Sequence, residues 1–246
     1  MYIFQEGISS VMSIKYKRVL LKLSGEAISG KENGIIDFDH LATIAGVIKK
    51  CVEEGTQVAV MIGAGNIWRG RQGGKMNRSR ADHMGMLATT INSLALQQAL
   101  EDVQVKAVTM TSVSMEEFAD KYSSRNAVKA LEEGKVVVLG GGSGLPFFST
   151  DTAAVLRAAE IEADVVLMAK NIDGIYSADP KTDPTAYKID DITYKEIIEK
   201  NIRAYDLTAT IFCMDNNINT YAFALKDPMN IYRVITGENV GTETHN

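Results

Sequence analysis

The chain has 246 residues, 46% of them hydrophobic and 23% charged, a composition that excludes a disordered chain and allows one large or two small globular cores. A net charge of −5 offers no basic patch to a polyanion, which argues against nucleic acid as the main partner and for small phosphate ligands held by local geometry. The two cysteines, Cys51 and Cys213, form no CxxC pair, which argues against a disulfide framework or a thiolate metal site and suits a reducing cytoplasm.

Residues 1–13 lack a basic segment followed by a long apolar run, and no later run has the length needed to cross a bilayer, so no membrane association is expected. They are expected to form a disordered N-terminal tail that includes Met12, ahead of a single domain over residues 14–246. The first predicted strand, 18–23, runs into Lys22-Leu23-Ser24-Gly25-Glu26. A lysine in an apolar strand needs an anion or a wet cleft, because an unpaired buried ammonium is costly. Lys22 either meets a phosphate or snorkels to the sheet rim and pairs with Glu26.

A helix over 38–54 leads to a second strand, 57–62, which ends in Gly63-Ala64-Gly65-Asn66-Ile67-Trp68-Arg69-Gly70-Arg71. This glycine-rich turn carries two guanidinium groups, and arginine presents a rigid fork of donors to phosphoryl oxygens. Arg69 is the better candidate, and Arg71 is read as a solvent-facing loop residue. Trp68 would stack on a base or pack into a core or subunit interface. The next helix, 80–102, has Asp82 in its first turn, where the dipole alone accounts for an acid, although the carboxylate would equally accept a pair of sugar hydroxyls. His83 beside it has no nucleophile motif to support a catalytic dyad. Met84, Leu87, Ala88, Ile91, Leu94, Ala95 and Ala99 form an apolar stripe, read as core or subunit contact.

A strand over 105–110 and a helix over 124–133 follow, then a strand over 135–139 that opens into Gly140-Gly141-Gly142-Ser143-Gly144-Leu145-Pro146-Phe147-Phe148-Ser149-Thr150-Asp151. Four glycines ahead of a helix at 151–160 let backbone N–H groups close on an anion, and the helix dipole favours negative charge there. Such a loop reads as a phosphate cradle or as a tight α/β connection. Ser124 and Thr150 are suited to capping at or near their helix N-termini.

The fifth strand, 165–168, precedes Lys170-Asn171-Ile172-Asp173-Gly174-Ile175-Tyr176-Ser177-Ala178-Asp179-Pro180, either turn punctuation or an adenine and ribose shelf around Tyr176. Beyond it come helices near 194–200 and 208–216 and strands at 220–224 and 232–235, with no linker, repeat or low-complexity tract. Strands alternating with helices predict an α/β sandwich on a parallel sheet, one domain with two lobes, and ligands beyond the carboxyl ends of the strands. No GxxxxGK[ST], dinucleotide fingerprint, GxSxG or His/Cys cluster is present, so P-loop chemistry, hydride transfer, serine hydrolysis and a zinc site are not indicated.

Taken in order, Lys22 through Glu26, Gly65-Asn66 with Arg69-Gly70, Asp82-His83-Met84-Gly85-Met86-Leu87-Ala88-Thr89, Pro146 through Asp151, and Asp173-Gly174-Ile175-Tyr176 with Asp179-Pro180 resemble the bacterial uridylate kinases of the amino acid kinase superfamily. The resemblance runs from about residue 16 to 240. It implies a three-layer αβα sandwich and transfer of the γ-phosphoryl group of ATP, with Mg2+, to UMP in pyrimidine nucleotide synthesis. It also implies a cytoplasmic homohexamer activated by GTP and inhibited by UTP.

By that resemblance Lys22 would bridge the transferring phosphoryl, Arg69 would assist, and Asp151 would orient Lys22 rather than act as a base. Lys22, Leu23, Ser24, Gly25, Gly65, Arg69, Lys170, Asn171, Tyr176 and Asp179 would serve ATP, the N-terminal lobe taking UMP and the C-terminal lobe ATP. Ala64, Asp82, Ser143, Gly144, Leu145, Pro146, Phe147, Phe148, Ser149 and Thr150 would hold UMP; no residue is assigned as a metal ligand. Ala64 stands where relatives usually have glycine and Leu145 where they often have a polar residue, which would weaken UMP contacts; near Lys170-Asn171 the chain is read as one residue shorter than some relatives. Two other readings share these residues: a kinase of the same fold acting on a small carboxylate, such as acetylglutamate or carbamate, and a nucleotide-sensing regulator without turnover.

Overall fold

The computed structural model describes residues 14–29, 34–69 and 73–246. The expected N-terminal tail, Gly70 and Arg71 lie outside these residues. In chain order the elements are β1 (Arg18–Leu23), a 3-10 turn (Gly25–Ile28), α1 (Phe38–Glu53), β2 (Gln57–Ile62), α2 (Arg78–Asp102), β3 (Ala107–Thr111), β4 (Asp120–Lys121), α3 (Ser124–Glu132), β5 (Val136–Gly140) and α4 (Thr150–Glu160). Then come β6 (Val165–Lys170), β7 (Ile175–Tyr176), β8 (Lys188–Ile189), β9 (Asp191–Thr193), α5 (Tyr194–Glu199), α6 (Leu207–Asn216), β10 (Thr220–Ala224), α7 (Asn230–Ile235) and β11 (Gly241–His245).

Nine strands form one sheet in the order β4-β3-β5-β2-β1-β6-β10-β11-β9, and every pairing is parallel except β10 with β11. β1 lies centrally, in register with β2 (Lys22 opposite Met61) and β6 (Lys22 opposite Met168). The chain leaves β1 toward β2 on one side and later returns to its other side as β6. The loops after these strands therefore diverge, which opens a crevice at their carboxyl ends.

Alternation along β1 distributes its side chains between two cores. Val19, Leu21 and Leu23 pack with α1, α2 and α7 residues such as Leu41, Ile44, Leu96 and Ile231. Leu20 packs on the opposite face with Ala153, Ala154 and Ala158 of α4. Lys22, two residues past Leu20, therefore lies on the α4 face. The result is helix, sheet and helix in three layers.

At the C-terminus one expected element differs from the structure and one strand was not anticipated. Residues 232–235 are the end of α7 rather than a strand, with Ile231, Val234 and Ile235 buried against the first core. The polar run Gly241–His245 is a strand, held by β10 on one side and β9 on the other. The caps fall one residue earlier than expected: Ser123 accepts from Asn126 N, and Ser149 from Thr152 N, at the starts of α3 and α4. The apolar stripe on α2 is divided, with Ala88 and Ala99 in the core while Met84, Leu87 and Ile91 are exposed.

Candidate active site

Lys22 and Asp151 meet at the crevice. Lys22 Nζ lies 2.6 Å from Asp151 Oδ1, and both side chains are largely shielded. Burial pushes the Asp151 carboxyl up, but the ammonium groups of Lys22 and Lys170 outweigh it and hold the carboxyl below the usual carboxylate range. Asp151 therefore stays ionised and serves as an anchor for cations. Lys170 closes β6, donates to Ala204 O and faces the Tyr205 ring. Burial lowers its pKa below that of an ordinary lysine, against the pull of Asp151. The alternative reading of Lys22 as a partner of Glu26 is not what is found, because Glu26 pairs with Arg69.

The two turns beside this pair fit closely together. Ser24 caps the 3-10 turn by accepting from Ala27 N, and Gly63 N donates to Leu23 O. A Cβ on Gly25 would fall 2.5 Å from Gly65 N and 2.8 Å from Gly63 O, so only glycine allows this approach. The Leu23 side chain is fully buried in the core, so it offers the crevice backbone alone. Asn92 of α2, fully buried, donates to Gly63 O and to Asn66 Oδ1, each at 2.8 Å, and fixes the second turn from behind. Arg69, exposed, donates through Nε to Gly65 O.

A cleft of about 710 Å3 lies on one side, lined by Lys170, Asn171, Gly174, Tyr176, Asp179 and Arg203 among others. It gathers the four residues of the 170–180 segment that the sequence pointed to. Tyr176 donates to Asp173 Oδ1 at 2.9 Å, and Asp179 Oδ1 accepts from Lys181 N.

A second cleft, of about 430 Å3, is lined by Ala64, Trp68, Arg78, Asp82, Ser143, Leu145, Phe148, Ser149 and Thr150 among others. Gly144, Pro146 and Phe147 belong to the same loop but do not line it. Gly141, Gly142 and Gly144 have φ of 76°, 57° and 80°, the left-handed region that favours glycine. Phe147, at φ 72°, adopts it without that freedom, and its N–H donates to Asp82 Oδ2 at 2.8 Å. Asp82 also accepts from Arg78 Nε at 2.9 and 3.0 Å. Trp68 is half-buried and donates to Ala81 O, while His83 is exposed.

The sequence reading passed over Arg78, Asn92 and Asp206. Arg78 fell outside because α2 begins two residues earlier than its apolar spacing suggests. Asn92 carried a legible signal, an amide among core positions of a helix. Asp206 carried another, an acid just before a helix: it caps α6, accepting from Ala209 N at 2.9 Å, and accepts from Thr152 Oγ1 of α4 at 3.0 Å.

A mostly parallel sheet with a lysine–carboxylate pair, one cleft reaching Thr150 next to Asp151 and another lined by Lys170, is matched elsewhere. Residues 17–223 match the amino acid kinase family. The chain belongs to that family. Among solved structures, a UMP kinase from Bacillus anthracis superposes with a TM-score of 0.90 at 35% identity, covering 94% of this chain and 96% of its own. A UMP kinase from Ureaplasma parvum gives 0.90 and 35%, covering 95% and 100%. A uridylate kinase from Archaeoglobus fulgidus gives 0.71 and 29%, covering 92% and 99%. This amino acid kinase therefore matches relatives named UMP kinase along nearly the full length of both chains.

Proposed function

We propose that the protein is a UMP kinase, which transfers the γ-phosphoryl group of ATP to UMP and yields ADP and UDP in pyrimidine nucleotide synthesis. The observation that carries this reading is the Lys22–Asp151 pair. Asp151 directly follows Thr150 of the smaller cleft and feels the charge of Lys170 in the larger one. The larger cleft takes ATP, with Tyr176 and Asp179 at the nucleoside. The smaller takes UMP, giving the domain an N-terminal acceptor lobe and a C-terminal donor lobe.

Transfer between two polyanions depends on positioning and charge neutralisation more than on covalent chemistry. Lys22 bridges the moving phosphoryl group and Asp151 fixes its ammonium. Lys170 adds positive charge on the donor side and Arg69 assists, while Ser24, Gly25 and Gly65 present backbone to the ATP phosphates. No protein base is required, because the attacking phosphate oxygen of UMP is already largely deprotonated near neutral pH, and Asp151 is engaged with Lys22. Among the described residues no three His, Cys, Asp or Glu side chains cluster as a metal cage. Mg2+ would arrive on ATP, held by phosphate oxygens and water, and would neutralise phosphate charge there.

Asp82 is the acceptor for the UMP ribose hydroxyls. Its carboxylate already accepts from Arg78 and Phe147, yet a carboxylate has about four lone-pair sites and can take more. Asp82→Ala should raise the KM for UMP about tenfold and leave that for ATP nearly unchanged. Because α2 starts at Arg78, Asp82 lies beyond its first turn rather than in it, and an unchanged UMP constant would show that the acid serves only to hold Arg78 and the Phe147 N–H.

The exposed Met84, Leu87 and Ile91 on one face of α2 support subunit contact within a homohexamer. Activation by GTP, inhibition by UTP and a cytoplasmic site complete the proposal. Among the described residues no helix is long and apolar enough to cross a membrane.

A further inference from the structure

Arg157 lies on α4 six residues beyond Asp151, and its side chain is only 9% exposed. Its guanidinium stacks on the Tyr122 ring at 4.1 Å, and its charge is met by Glu160, 2.6 Å from Nη1. Nη2 is directed at the glycine loop: it donates to Ser112 Oγ at 3.1 Å and approaches Ser143 O at 3.4 Å. Ser112 in turn donates to Gly142 O at 2.6 Å. A Cβ on Gly144 would lie 3.0 Å from Ser112 Cβ, so the loop rests directly against this serine.

We propose that Arg157 is a positioning residue for the acceptor nucleotide, holding the 142–144 backbone through Ser112 and Ser143 O at a fixed distance from Asp151. The proposal rests on the smaller cleft being the UMP site. One helix then carries the phosphoryl anchor at its first turn and the grip on the acceptor loop two turns later, so α4 sets the spacing between donor and acceptor. Arg157 does not line the cleft, so it would act on the acceptor through the loop. A buried ion pair is weak support for stability, since apolar side chains of similar volume serve as well. What the guanidinium adds is its planar fork, which can engage Glu160 and the loop at once, a geometry an ammonium does not reproduce.

Steady-state kinetics of wild type, Arg157→Lys, Ser112→Ala and the double variant, below their melting temperatures, test this. Arg157→Lys should raise the UMP KM about tenfold and move the ATP KM less than about twofold. Ser112→Ala should shift the same constant in the same direction. The double variant should fall short of the product of the two, because Arg157 acts partly through Ser112. If Arg157→Lys does not fold, the UMP-selective shift in Ser112→Ala decides alone. A UMP constant unmoved in the variants that fold, or UMP and ATP constants rising together, would overturn the proposal. Wild-type turnover independent of UMP would remove the acceptor reading itself, and this proposal with it.

Discussion

At Lys22 a single position in β1 sets the chemistry. The period of two places it on the α4 face after Leu20, and its place next to the strand's end brings it to the crevice where Asp151 waits. An ammonium there is tolerable because the carboxylate compensates it, and Asp151 is held ionised by two lysines rather than one. Lys22→Ala should therefore lower kcat by about two orders of magnitude or more, with nucleotide affinity changed far less, because the lost charge acts mainly in the transition state. Single-turnover and equilibrium binding measurements separate the two effects, and near wild-type turnover would remove the assigned role. The lysine was legible in the sequence as a misfit in an apolar strand. Its partner came only through the family resemblance, which has Asp151 orient Lys22; no local pattern links residues 129 apart, and the folded sheet chooses Asp151 over Glu26.

At the scale of elements, glycines in this chain divide by what surrounds them. Gly25 has no room for a Cβ against Gly63 and Gly65, whereas Gly46, in the middle of α1, faces open space. Gly25→Ala should cost about 1–3 kcal/mol through overpacking, a fall of roughly 2–4 °C in Tm per kcal/mol in a chain of this size. Gly46→Ala should stabilise by about 0.5–1 kcal/mol, since alanine is the better helix former. Thermal melts of the pair check both signs, and equal effects would contradict the packing account. β1, β2 and β10 match the expected limits because β-branched and apolar runs bounded by turns mark buried strands well. α7 was misread and β11 passed over for one shared reason. Tyr-Arg-Val-Ile has strand propensity but packs as a helix against α1, and Gly-Thr-Glu-Thr-His has no apolar side chain to mark it as a strand but is paired on both sides. Tertiary contacts outweigh local preference in both cases.

For the whole molecule, three layers and a sheet with β1 between β2 and β6 bring four separate loops to one end. Alternating strands and helices made the layers and the ligand end legible, and the order of short motifs made the family legible. The cross-connections were not: Asn92 behind the second turn, Asp206 between α4 and α6, and Arg157 behind the glycine loop each join segments distant in sequence. No local period encodes such pairs. The central claim is that two clefts on either side of Lys22 and Asp151 hold ATP and UMP for phosphoryl transfer. The most direct measurement is ADP release from Mg-ATP with UMP, CMP, dUMP, acetylglutamate and carbamate as separate acceptors. Saturable turnover with strong preference for UMP is the predicted result; turnover favouring a small carboxylate, or none with any acceptor while UMP still binds, would contradict it.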